Sequence, residues 1–276
     1  MINLISIDEI SKENINNIFI LADLIKSEKL NKNFIEDKNI GIMFFEPSTR
    51  TMLSFETAIN KLGGNYIKFN ESESSIKKGE SLYDTIKTME SYCDLLIIRH
   101  PEVGIMKKIK QYTKLPIINA GDGSGEHPTQ ALLDLFTIKE NIKNFKSILF
   151  VGDNKNSRTV RSLIKLLERF FSNLNYYFFN VKGLEPENLC INNFKIINNY
   201  QECIDKVDVV YMTRIQKERT NQDNFEYKNL IMKPEILNLM KRDSILMHPL
   251  PRNEEIEIGC DSNFRSKYFD QIENGV

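Results

Sequence analysis

Six short stretches carry side chains that could hold or transform an anion. Ser48-Thr49-Arg50-Thr51 follows the apolar run ending in Phe44-Phe45. At the start of a helix, two hydroxyls and a guanidinium can grip a phosphate or carboxylate. Backbone N–H groups there lack intrahelical partners, and Arg offers a two-pronged fork. The same residues could instead be an N-capping hydroxyl cluster beside a solvated Arg. Arg99-His100-Pro101 follows another apolar run, as a second anion site or a surface turn. Asn119–Gln130 holds three glycines in five residues, then His127 and Gln130. Those two are three apart at a helix start and share a face, with Pro128 suited to the first turn. An imidazole and a carboxamide could face one pocket there, or the segment could be a plain loop.

Val151-Gly152-Asp153, leading to Ser157-Arg158, resembles a strand–Gly–helix turn. It is neither a P-loop nor a complete G-x-G-x-x-G, so a nucleotide site is poorly supported. Tyr211–Arg219 and His248-Pro249-Leu250-Pro251-Arg252 complete the set. All three histidines precede prolines, although the chain has only eight prolines. Proline restricts itself and the residue before it, so backbone geometry is fixed beside these polar groups.

Hydrophobic spacing supplies the elements that position these residues. Helices are predicted over 9–26, 51–62, 103–112, 128–143 and 157–170. Buried strands are predicted over 41–45, 94–98, 116–119, 147–151, 176–181, 207–212 and 244–247. Alternation of this kind predicts an α/β protein of two domains, each a parallel sheet flanked by helices. The boundary is placed so that the domains cover 1–143 and 144–276. In such sheets ligands bind beyond the carboxyl ends of the strands. Arg50, Arg99, Arg158 and Arg214 all fall at such ends, in both halves, which points to a small polyanionic ligand.

Composition narrows the partners. Lys and Arg number 37 against 38 Asp and Glu, a net charge of -1, so no global basic field exists for nucleic acid or an anionic membrane. No apolar run approaches a membrane span, and Met1–Glu9 lacks the pattern of a signal peptide. Cys93, Cys190, Cys203 and Cys260 form no C-x-x-C pair. They are read as buried small side chains in a reducing cytoplasm rather than as a metal or redox site.

From Phe45 onward, these motifs resemble the aspartate/ornithine carbamoyltransferase family. Ser48-Thr49-Arg50-Thr51 and His127-Pro128-Thr129-Gln130 match both branches. His248-Pro249-Leu250-Pro251 and Arg214-Ile215-Gln216 match the aspartate branch. The resemblance implies transfer of a carbamoyl group from carbamoyl phosphate to L-aspartate, early in pyrimidine synthesis, with no metal and no cofactor. It implies that Ser48, Thr49 and Arg50 hold the phosphate, and that Thr51, Arg99 and His127 polarise the carbamoyl oxygen. Gln130 and the carbonyls of Pro249 and Leu250 would accept from the carbamoyl nitrogen, beside a cis Leu250–Pro251 peptide. Arg158, Arg214 and Gln216 would hold the two carboxylates of aspartate. Homotrimers with shared sites are implied, with regulatory chains as candidate partners. The polar loop from Glu71 to Gly79, a solvated surface when read alone, would then lend Ser74 and Lys78 to a neighbouring chain. The family's C-terminal helix is expected beyond Val276 and is missing from this sequence. An amine other than aspartate, such as ornithine, and a non-catalytic scaffold are the alternatives.

Overall fold

The computed structural model describes residues 2–29, 33–70, 74–187, 191–214 and 227–276. Gln216, Cys190 and the start of the 71–79 loop lie outside the described residues. Two compact units divide the chain: residues up to Leu132 together with Gly275–Val276, and Leu133–Asn274.

In the first unit, β1 (Asn39–Phe44), β2 (Asn65–Asn70), β3 (Leu95–His100) and β4 (Ile117–Asp122) form a parallel sheet ordered β2-β1-β3-β4. Parallel neighbours need crossovers, supplied by α2 (Thr49–Lys61), α3 (Leu82–Glu90) and α4 (Ile105–Lys110). Both faces are covered, so the central strands are apolar nearly throughout. Ile40, Ile42, Phe44 and Ile97 pack with Ile59, Met52 and Phe55 of α2. The alternate residues Met43, Leu96 and Ile98 pack with Ile86 and Met89 of α3 and Ile105 and Ile109 of α4. Leu4 donates to Ile117 and accepts from Asn119, so the chain's first residues cover the outer edge of β4. They lead into α1 (Lys12–Lys26), which begins where the Ser11 hydroxyl accepts from the Asn14 amide at 3.1 Å.

The second unit is built on β5 (Ser147–Gly152), β6 (Asn175–Asn180), β7 (Phe194–Ile196), β8 (Val209–Met212) and β9 (Ile245–Met247), ordered β7-β6-β5-β8-β9 and all parallel. Leu149, Val151, Val210, Met212 and Leu246 join a core with Tyr200, Leu237 and Tyr268. The alternate residues stack instead: Phe150 lies 5.6 Å from Phe178 and 5.6 Å from Tyr211. The Tyr176 hydroxyl donates to Glu168 at 2.7 Å, which places α6 (Arg158–Phe170) on that face. α7 (Pro234–Leu239) and α8 (Tyr268–Asn274) complete the unit.

The division between the two compact units falls inside α5 (Pro128–Asn141), between Leu132 and Leu133. His127, just before α5, and Gln130, in its first turn, belong to the first unit. From Asp134 onward the helix is bonded to β8 and α8.

Candidate active site

In the first unit β1 runs out at Phe44 and α2 begins at Thr49, so Ser48 stands at the N-cap with extended backbone angles. Its hydroxyl makes no capping bond. Among the described α-helices three other serine caps do close their helices: Ser11, Ser81 and Ser157 each accept an amide from the first turn. The simple capping account therefore fits those serines and not Ser48. Arg50 is largely accessible, yet the shielding it has lowers its pKa from the ordinary guanidinium value. No carboxylate among the described residues raises it back. A partly shielded cation over a helix start with unused amides is an arrangement that an anion would complete.

Arg99 sits at the carboxyl end of β3 and is buried. It lies 2.6 Å from Glu46 and donates to the Ala120 carbonyl at 3.3 Å. Glu46, which sequence reasoning passed over, thus fixes the guanidinium and offsets part of its charge. The glycine-rich segment after β4 is fastened to the same corner. Gly123 donates to the His100 carbonyl at 2.8 Å and has a left-handed φ of 50°. A Cβ there would lie 2.2 Å from the Pro101 carbonyl oxygen, so only glycine fits.

Two acids hold the rest of this loop. Asp122 accepts from Gly104 at 2.7 Å and Glu126 at 2.6 Å. The Glu126 carboxylate accepts from the Ser6 hydroxyl at 2.9 Å and the Ile7 amide at 3.0 Å. His127 follows, buried, with Nδ1 at 3.3 Å from the Thr129 hydroxyl; its carbonyl caps α5 by accepting from Ala131. Gln130, half-buried, lies one turn along. The carboxyl ends of β1, β3 and β4 thus gather Ser48, Thr49, Arg50, Thr51, Arg99, His127 and Gln130 around one end of a single sheet.

The second unit repeats the placement. Gly152 ends β5 at φ 118°, and a Cβ there would meet the Thr213 carbonyl at 2.4 Å. Thr213 donates through both its amide (2.8 Å) and its hydroxyl (3.1 Å) to Val151. Arg214 leaves β8 from this close approach, half-buried. Arg158 opens α6, whose cap Ser157 is buried beside a turn fixed by Asp153 accepting from the Asn156 amide at 2.9 Å.

After β9, His248 is buried. Its Nδ1 accepts from the Leu250 amide at 2.8 Å, so Nε2 carries the proton and donates to Glu255 at 2.9 Å. Burial raises the pKa of Glu255, but the imidazole and nearby amides outweigh it and the net shift is downward. Leu250 takes φ 51° and Leu250–Pro251 is cis, the geometry the motif implied. Pro249 and Leu250 are half-buried and Pro251 is exposed.

Ser74 caps, and Lys78 ends, a short 3-10 turn, Ser75–Lys78, that follows β2 along the chain. The Ser74 hydroxyl accepts from Ile76 at 3.3 Å, and Gly79 closes the turn in a left-handed conformation. Cys93, Cys203 and Cys260 are buried free thiols.

The chain resembles known proteins along nearly its whole length. Residues 3–140 match the family described as aspartate/ornithine carbamoyltransferase, carbamoyl-P binding domain; residues 144–276 match the Asp/Orn binding domain of that family. The aspartate carbamoyltransferase catalytic subunit of Thermoplasma volcanium is 41% identical over 289 residues, spanning 99% of this chain and 94% of that protein. The multifunctional protein CAD of Squalus acanthias is 38% identical over 99% of this chain, which spans only 13% of that longer protein. Among solved structures, aspartate transcarbamoylase from Trypanosoma cruzi in complex with aspartate and phosphate superposes with a TM-score of 0.91. It is 34% identical and covers 99% of this chain and 91% of its own.

Proposed function

The chain belongs to the aspartate/ornithine carbamoyltransferase family, and we propose that it transfers the carbamoyl group of carbamoyl phosphate to the α-amine of L-aspartate. N-carbamoyl-L-aspartate and phosphate are the products, an early step of pyrimidine synthesis. The amine nitrogen forms a bond to the carbonyl carbon. The bond from that carbon to the phosphate oxygen breaks, and phosphate leaves with the proton the amine sheds.

Negative charge grows on the carbamoyl oxygen during attack, so fixed donors aimed at it favour the transition state over the ground state. Thr51, Arg99 and His127 are these donors, and the contact with Glu46 limits how far Arg99 can swing. Ser48, Thr49 and Arg50 hold the phosphate. Gln130 and the carbonyls of Pro249 and Leu250 accept from the carbamoyl nitrogen. Arg158 and Arg214, with Gln216, take the two carboxylates of aspartate. Two cations suit a dicarboxylate; the second amine of ornithine would want acids in their place. The observation that carries this reading is Arg50: partly shielded, depressed in pKa and answered by no acid among the described residues, beside a serine cap whose hydroxyl is left out of the cap.

The likeness of the Glu71–Gly79 loop to the loop that family members lend to an adjacent chain, with Ser74 and Lys78 as its donors, supports a homotrimer with shared sites. Separate regulatory chains remain candidate partners of that trimer. Three buried thiols support a reducing cytoplasm.

Colorimetric detection of carbamoylated product tests the activity. Product from carbamoyl phosphate with aspartate, and none with ornithine, is expected. Product with ornithine alone would move the chain to the other branch, and none with either amine would leave a scaffold. Sedimentation at three times the chain mass is expected for the trimer. His127→Ala is expected to lower turnover about 100-fold, the loss typical of one oxyanion donor.

A further inference from the structure

We propose that Asp134, a buried acid outside the reaction chemistry, is a positioning residue that sets the aspartate-binding half of the site. The proposal rests on the carbamoyltransferase reading above. Asp134 lies wholly inside the second unit, on α5, with no exposed surface. Its Oδ2 accepts from the Tyr211 hydroxyl at 2.7 Å and its Oδ1 from Gln271 Nε2 at 2.6 Å. Each arm leads to a different substrate-holding segment.

Along the first arm, Tyr211 is a fully buried phenol on β8 whose pKa is pushed well above its ordinary value, first by burial and then by Asp134. It donates to Asp134 and bonds the side chain of Thr159. The Thr159 hydroxyl lies 3.0 Å from the cap hydroxyl of Ser157. Arg158 stands between these two residues, so the arm ends on the turn that carries a carboxylate-binding cation. Tyr211 also lies three residues before Arg214.

Along the second arm, Gln271 of α8 gives its amide nitrogen to Asp134 and turns its oxygen to the His248 amide at 2.8 Å. His248 in turn accepts from Leu250, so this arm ends on the loop of Pro249 and Leu250. Both Asp134 oxygens accept, and this sets the direction of every bond in both arms: Thr159 gives to Tyr211, Tyr211 and Gln271 give to Asp134, and Gln271 is left with its oxygen facing His248. Asn274 of α8 locks the same face by donating to Thr137 at 2.9 Å and Glu140 at 2.7 Å on α5. A fully satisfied buried network of this kind has one low-energy arrangement, which is what a preorganised site requires.

An amide at position 134 keeps the shape and loses the polarity, since one of its two groups must donate. Either the phenol hydrogen or the Gln271 nitrogen then faces another donor. The variants Asp134→Asn and Tyr211→Phe, made in the full-length chain, test the idea. In both, the KM for aspartate is expected to rise about tenfold through misplacement of the binding groups. Affinity for inorganic phosphate, measured by calorimetry, is expected to stay within about twofold because its ligands lie in the first unit. The double variant is expected to lose less than the product of the single losses.

Folded variants with a lowered melting temperature but an unchanged aspartate KM would reduce Asp134 to a stabilising residue and overturn the proposal. So would equal weakening of phosphate and aspartate. Should Asp134→Asn not fold, Tyr211→Phe, which removes a single oxygen atom, decides alone. Failure of the carbamoyltransferase reading would look different: the unaltered chain would carbamoylate no amine at all.

Discussion

Arg50 and Arg252 both follow a strand of a parallel sheet, and they differ in what answers their charge. Arg252 lies beyond β9 with both terminal nitrogens on Asp261; one of those bonds measures 2.6 Å, and Nη1 also reaches the Tyr268 hydroxyl at 3.1 Å. Its guanidinium lies 5.1 Å from the Tyr268 ring centroid and 5.9 Å from that of Phe269. The bond to Asp261 raises the pKa of the arginine, and the arginine lowers that of Asp261. Around Arg50 the shift has the opposite sign, because shielding acts with no acid among the described residues to oppose it. An internally satisfied cation stabilises architecture, whereas a shielded cation without an internal partner stores attraction for a ligand. Arg99 stands between the two, fixed by Glu46 at the edge of the site.

The largest test of this contrast is Arg50→Ala. Turnover is expected to fall about 100- to 1000-fold, as when an essential charge donor is removed. The melting temperature should hold or rise slightly, because an uncompensated charge is deleted. Steady-state kinetics and a thermal melt on one preparation read both, and a large loss of stability with turnover intact would break the comparison. Gly152→Ala should come next, at about 3 kcal/mol of stability by urea unfolding, for a strained φ and a clash in one residue. Its Cβ would press on Thr213 and disturb the neighbouring Arg214, so aspartate KM should rise with the instability. Arg252→Ala should lower stability by about 2 kcal/mol, the scale of hydrogen bonds to charged groups. Its turnover should fall far less than that of Arg50→Ala; the reverse order would erase the distinction.

How much of this was legible in the sequence depended on how local the signal was. The central strands announced themselves because a sheet covered on both faces selects unbroken apolar runs such as Ile148–Val151. Two of the four edge strands, β2 and β7, did not. All three residues of β7 are exposed, and β2, Asn-Tyr-Ile-Lys-Phe-Asn, is polar and partly exposed, so neither reads as core. Helix α3 was missed although its start was visible: Ser81 accepts from the Asp84 amide at 3.1 Å and donates to the Asp84 carboxylate at 2.7 Å, a reciprocal cap of local origin. The rule that ligands gather at strand carboxyl ends singled out the arginines and His127. It could not find Glu46, Asp122, Glu126 or Asp134, whose work lies in long-range partners. Ser6 and Glu126 are 120 positions apart, and Asp134 and Gln271 are 137 apart. Spacing along a chain carries no mark of such pairs.

The smallest expected effect sharpens the comparison from the exposed side. Glu90, at the end of α3, is a partly exposed carboxylate with a full set of partners, like Asp261. It takes Lys87 at 2.7 Å, the Lys114 amide at 2.7 Å and the Thr113 hydroxyl at 2.9 Å. These partners, Lys87 first, lower its pKa from 4.5 to about 2. A carboxyl depressed on folding stabilises the native state at pH above its unfolded value, and that stabilisation is lost as pH falls from 4.5 towards 2. Solvent screening reduces the expected contribution at neutral pH to about 1 kcal/mol. Glu90→Gln should therefore be less stable than the unaltered chain at neutral pH, and the gap should close steadily below pH 4.5. Urea midpoints measured across that range give the answer. A gap of constant size would mean that shape and hydrogen bonding at Glu90 matter and its charge does not, and the division drawn between Arg50 and Arg252 would then owe less to charge than to packing.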